Sequence, residues 1–250
     1  MERSIIVPIF LVLQVVLLFV GTMISLKNPP IDSRGDRKLP IMVRILLSLS
    51  LVVIAYVIFN ITKGEYKVYT KFVVLGMIFS FIGDMIIAEV FKVSYKITKG
   101  IEKSLLCGMI AFAIGHGMYI TAYIETIVAA EGGNITKYLI FSIIIFILLL
   151  ILGWLLFVYK IQEQRKERIG VVIYTAWIGV MATFAFILSF ELGGTWWLTF
   201  IGAVSFMISD GVIGIKDVNF KDVKNGNLII WWTYIIAQMC IIYSRFINCK

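Results

Sequence analysis

One histidine and three cysteines are nearly all the soft metal-ligand chemistry available to this 250-residue chain. A metal-dependent membrane hydrolase built on a multi-histidine centre needs several imidazoles, and His116 alone cannot supply them. Cys107 and Cys240 fall inside apolar runs, Cys249 lies near the end, and no C-x-x-C spacing occurs, so neither a disulfide framework nor a zinc site is implied. Charge is also scarce, at 15% of residues. The net excess of +8 sits in short loops between apolar runs, where cations set topology and meet anionic lipid; no soluble basic face exists to hold nucleic acid. Neither a G-x-G-D around Asp84 nor a P-A-L motif is present, which argues against a presenilin-like intramembrane protease.

What the chain has in abundance is hydrocarbon. Sixty per cent of its residues are hydrophobic, against about 45–50% in soluble domains, and the mean hydropathy is +0.97. Runs of about 20 apolar residues cross a hydrocarbon core of about 30 Å. Eight are visible: Ile5–Ile24, Leu39–Asn60, Tyr69–Ala88, Leu105–Ile124, Tyr138–Val158, Ile169–Phe190, Trp196–Ile215 and Leu228–Phe246. The expectation is an all-α, polytopic membrane bundle of about eight transmembrane helices, a single transmembrane domain over residues 1–250. Fifteen loop lysines and arginines, among them Arg34, Lys92, Lys96, Lys99, Lys160, Arg168 and Lys216, fall on one side and seven on the other. The richer side is predicted cytoplasmic, with both termini non-cytoplasmic and the sequons at Asn60 and Asn134 on the outer side. Trp196, Trp197, Trp231 and Trp232 stand at helix starts and read as an aromatic belt.

Two acids break the apolar runs. Asp84 lies in FSFIGDMIIA and Asp210 in VSFMISDGVIG; a carboxylic side chain inside a membrane helix costs roughly 2.5 to 3.5 kcal/mol, so each is a candidate for function. Each lies four or five residues from the predicted cytoplasmic end of its run, roughly 6 to 8 Å inside the boundary at helical rise. The spacing, 210 − 84 = 126, is close to half the chain. With Y-I-x-A following in each half, at Tyr119–Ala122 and Tyr234–Ala237, it suggests a four-plus-four pseudo-repeat. Arg44 and Tyr174 share the cytoplasmic depth, Tyr234 lies a turn or two inside, and His116, Tyr119 and Gln238 lie nearer mid-membrane. The outer halves are poorer in such groups, which points to a cavity opening toward the cytoplasmic leaflet. Two carboxyls close together in a dry site would share a proton, providing an acid and a base together. Acid-catalysed hydrolysis, proton-coupled transport or lipid carriage, and intramembrane proteolysis all use such a pair.

At these residues the chain resembles the YhhN family of membrane proteins, which includes the lysoplasmalogenases. The resemblance is carried, in order, by Lys38-Leu39-Pro40, Phe81-Ile82-Gly83-Asp84, Gly115-His116-Gly117-Met118-Tyr119, Tyr174 with Met181, Phe206-Met207-Ile208-Ser209-Asp210, and Tyr234 with Gln238. It spans residues 38 to 238, while the first and fifth helices match only in hydropathy. The resemblance implies hydrolysis of the vinyl ether bond of a lysophospholipid, the lysoplasmalogen, to a fatty aldehyde and a glycerophospho-base. Asp84 and Asp210 would be acid and base, with His116 and Tyr119 positioning water or the glycerol oxygens. Tyr174, Tyr234 and Gln238 would line the substrate site, and Lys38 and Arg44 would meet the phosphate. No metal and no cofactor are needed. The partners expected are the lysophospholipid and membrane lipids, and a eukaryotic member would sit in the endoplasmic reticulum membrane. The runner-up is a proton-coupled transporter or lipid carrier using the same aspartates.

Overall fold

The computed structural model describes residues 2–28, 30–31, 35–88, 103–131, 135–159 and 165–246. Arg34, Lys92, Lys96, Lys99, Lys160, the Asn134 sequon and Cys249 lie outside them. Apolar runs interrupted by few breakers form eight long helices: α1 (Glu2–Lys27), α2 (Ile41–Ile61), α3 (Lys67–Ile87), α4 (Lys103–Glu131), α5 (Thr136–Phe157), α6 (Arg165–Leu192), α7 (Trp197–Ile213) and α8 (Gly226–Phe246). All eight are long and apolar enough to cross a membrane, and no strand occurs among the described residues. In a hydrocarbon phase a helix satisfies every backbone group within its own segment, which is why such runs fold this way. The chain is therefore an integral, multi-pass membrane protein.

The helices differ from the apolar runs mainly at their ends. Helix α4 continues seven residues past Ile124, to Glu131, and α6 begins at Arg165, ahead of Ile169. Hydropathy marks only the greasy stretch, whereas helical hydrogen bonding continues into the interface. A turn of π-helix, Gly214–Val218, follows α7.

Consecutive helices pack as α1–α2, α2–α3 and α3–α4, and again as α5–α6, α6–α7 and α7–α8; the contact of α4 with α6 is matched by that of α8 with α2. The most extensive pairs are α3–α4 and α7–α8, and each closes over a glycine. A Cβ at Gly76 would collide with the Tyr119 ring, and one at Gly202 would stand 2.8 Å from the Ala237 carbonyl oxygen. Small residues let membrane helices approach closely where no hydrophobic force draws them together. Gly76 precedes Asp84, and Gly202 precedes Asp210, by the same eight positions.

The four tryptophans read as an aromatic belt have different surroundings. Trp196 is buried, its ring edge-on to Tyr69 at 5.0 Å. Trp231 lines the central cavity described below, and Trp232 Nε1 donates to Thr22 Oγ1 at 3.0 Å. Trp197 is 40% exposed. Lys216 and Arg168, counted among the loop cations of the richer side, are buried: Lys216 Nζ donates to Asp36 at 2.9 Å and Arg168 to Asn219 at 3.1 Å.

Candidate active site

Where α3, α4, α6, α7 and α8 converge, a cavity of about 90 Å³ is lined by Asp84, Asp210, Tyr174, Tyr234, Phe112, Phe206 and Trp231, among other mostly apolar side chains. At about 30 Å³ per water it has room for a few waters or for a small reacting group. Both aspartates thus face one space. Each comes from the last turns of its helix, Asp84 near the end of α3 and Asp210 near the end of α7, and reaches the junction from there.

The two carboxylates are held alike. Tyr174 on α6 donates to Asp210 Oδ2 on α7 at 2.7 Å, and Ser48 on α2 donates to Asp84 Oδ2 on α3. Both bonds span 36 residues and both join a helix to the one after it, so Ser48 and Tyr174 hold equivalent places in the two halves. The symmetry is then broken. Tyr234 on α8 adds a second donor to Asp84 Oδ2 at 2.7 Å, and Asp84 also feels the Arg44 guanidinium and the charge of Asp210.

The remaining expected residues are distributed unevenly. His116 is fully buried and does not line the cavity; its Nε2 lies 3.4 Å from the Tyr174 hydroxyl, its ring stands edge-on to Phe206 at 4.6 Å, and Nδ1 has no partner among the described residues. It touches the site through Tyr174. Tyr119 and Gln238 lie outside the cavity wall: the Tyr119 hydroxyl donates to Gln238 Oε1 at 2.9 Å, and both side chains are fully buried. Arg44 is half-buried, its guanidinium 6.0 Å from the centre of the cavity-lining Trp231 ring and its Nε buried without a partner among the described residues. Lys38 is not part of the cavity wall. Its backbone N–H donates to Pro30 and its carbonyl accepts from Ser25 at 2.8 Å, fastening the connection between α1 and α2.

Ser48, Phe206 and Trp231 enter the site without having been singled out for it. A serine in a membrane helix costs little and attracts no notice, yet its place 36 residues before an aspartate, as with Tyr174, was there to find.

A model of the YhhN family matches residues 39–245 of the chain, from the start of α2 to the end of α8. No curated protein and no solved structure matches it.

Proposed function

The chain belongs to the YhhN family, and from that membership and the paired carboxylates of its cavity we propose that it hydrolyses the vinyl ether bond of lysoplasmalogens. The observation that carries the reading is that Asp84 and Asp210, from opposite halves of the chain, line one apolar cavity. A vinyl ether breaks when a proton is delivered to the carbon β to its oxygen. The oxocarbenium ion that forms takes up water, and the hemiacetal collapses to aldehyde and alcohol. This path needs an acid on one side and a carboxylate on the other.

The unequal surroundings of the two aspartates suit unequal roles. Asp84, with two hydroxyl donors and the Arg44 charge, is equipped to act as the carboxylate, because donors to the charged form favour it. Asp210, with one donor in a mostly apolar wall, is equipped to act as the acid. Asp210 protonates the vinyl carbon, and Asp84 faces the cation and takes a proton from the attacking water. On collapse Asp84 passes that proton to the departing glycerol oxygen, while Asp210 recovers one from the hemiacetal hydroxyl. Both groups end as they began, and one water has been consumed. Arg44, with its unpartnered Nε near the site, is the proposed phosphate ligand. His116 steadies Tyr174.

Hydrolysis of a long-chain alkenyl lysophospholipid by the purified protein in heavy water tests this. The aldehyde carries one deuterium on the carbon next to the carbonyl, and Asp84→Asn and Asp210→Asn each abolish its release while inserting normally. Retained activity in either variant removes that aspartate from the mechanism. The matched packing of the two halves also suits a lipid carrier; a carrier returns its substrate intact, so the absence of aldehyde from active wild-type preparations favours that reading instead.

A further inference from the structure

The central cavity is too small for a lipid tail, and a second, larger hollow adjoins it. Helix α5 packs along α6 but scarcely touches α4. Between the three runs a groove of about 810 Å³, open to the outside of the bundle. Cavity and groove share two side chains, Met109 of α4 and Tyr174 of α6. Tyr174 is also the residue whose hydroxyl bonds Asp210, so the wall between the spaces is one ring's thickness from a carboxyl.

We propose that this groove holds the hydrocarbon tail of the substrate, with Met109 and Tyr174 as the threshold between tail and reacting bond; the inference rests on the hydrolase reading above. The bond to be cut joins the tail to glycerol, so a lipid placed for reaction has its first carbons at the aspartates and the rest of its chain beyond them. From Met109 to Met118 the groove runs about 13 Å along α4 at helical rise. That is close to the half-thickness, about 15 Å, of a hydrocarbon core. Its walls over this length are apolar, including Ile114, Phe146, Ile173 and Trp177. Trp177 Nε1 is already bonded to the Ala113 carbonyl at 2.9 Å and leaves no unmet donor facing the chain. The shallow end is different: Lys166 and Glu167 stand there, at the start of α6, where a zwitterionic head group enters from the interface. The fit is to one unbranched chain of a single-tailed lipid, which has no second tail to place.

Gly117 lines the deep end, and a Cβ added there would stand 3.7 Å from the Trp177 ring, an ordinary contact. A side chain at Gly117 therefore starts from an ordinary contact, and Gly117→Leu fills the deep end of the groove. Purified wild type and Gly117→Leu are given long-chain and medium-chain alkenyl lysophospholipids. The displaced methylenes pass from one apolar surrounding to another and lose only their packing against the groove wall, which weakens long-chain binding about threefold. The variant is expected to raise KM for the long chain by that factor and to leave the medium chain unchanged. An equal effect at both lengths, or none, overturns the proposal. A second measurement needs no variant: a lysophospholipid with a photoreactive group at the tail terminus, irradiated with wild-type protein, labels α4 and α6 around Met118 and Trp177. Labelling confined to other helices overturns it independently. Failure of the hydrolase reading looks different, because then wild type releases no aldehyde from either substrate.

Discussion

Asp84 accepts both Ser48 and Tyr234 on one oxygen, Oδ2, so the other oxygen is the one left for a reacting group. A hydrogen bond to a charged group is worth about 1.5–3 kcal/mol, which sets the scale of what either donor contributes if Asp84 works as a carboxylate. Ser48→Ala and Tyr234→Phe are each expected to lower kcat by about ten- to a hundredfold. The double variant loses more than the product of the two, because removing the first donor leaves the second to do more. Tyr174→Phe strikes the partner of the proposed acid, and an acid that carries its own proton depends less on a donor; its loss is smaller. Steady-state kinetics on the four variants decide the matter, and a Tyr174→Phe loss exceeding that of Ser48→Ala reverses the assignment of acid and base. At this scale the aspartates were legible because a carboxyl in an apolar run is costly enough to demand a reason. Ser48 and Trp231 were not, since neither is out of place where it stands, and only the meeting of α2, α3 and α8 brings them to Asp84 and its cavity.

Among the helices, what hydropathy could show was number and approximate position, because crossing a bilayer fixes the length of a greasy run. It could not show ends that continue into the interface, as α4 does to Glu131, nor that Trp196 and Trp231 turn inward. Which helices pair is set by close-packing surfaces, and there a faint signal existed in Gly76 and Gly202, each eight positions before its aspartate. Gly202→Val tests that reading of the α7–α8 pair. Its Cβ would meet the Ala237 carbonyl oxygen at 2.8 Å and Ile241 Cγ1 at 3.0 Å, and a backbone oxygen cannot swing aside. Overpacking of this kind costs about 1–3 kcal/mol. The expected result is a lower Tm in detergent by tryptophan fluorescence, with Gly170→Ala as the comparison, since nothing lies within 4 Å of a Cβ at Gly170. An unchanged Tm for Gly202→Val would mean that α7 and α8 do not meet at this glycine.

Over the whole molecule, the two halves are closed on each other by a bond that joins residues 180 positions apart. Lys216, in the π-turn after α7, reaches Asp36 in the connection between α1 and α2 at 2.9 Å, and Asp36 also accepts the Asn227 N–H at the start of α8. By sequence Lys216 counted only as one of the loop cations of the richer side, because its partner lies at the far end of the chain and no local pattern announces it. The consequence reaches the active site: Gly214 and Val218 of the same π-turn line the central cavity, so the latch holds part of the wall beside Asp210. Lys216→Met takes the cation from a pair whose side chains are 3% and 12% exposed, and breaking a buried pair from one side costs about 3–5 kcal/mol. The variant is expected to unfold at a lower temperature and to hydrolyse with reduced kcat, even though Lys216 lies outside the cavity. Adding Asp36→Asn removes the carboxylate that faced this cation and restores part of both losses, a coupling that a double-mutant cycle measures directly. Strictly additive losses would show that Asp36 and Lys216 act separately, and that the closure of the halves rests on the helix contacts alone.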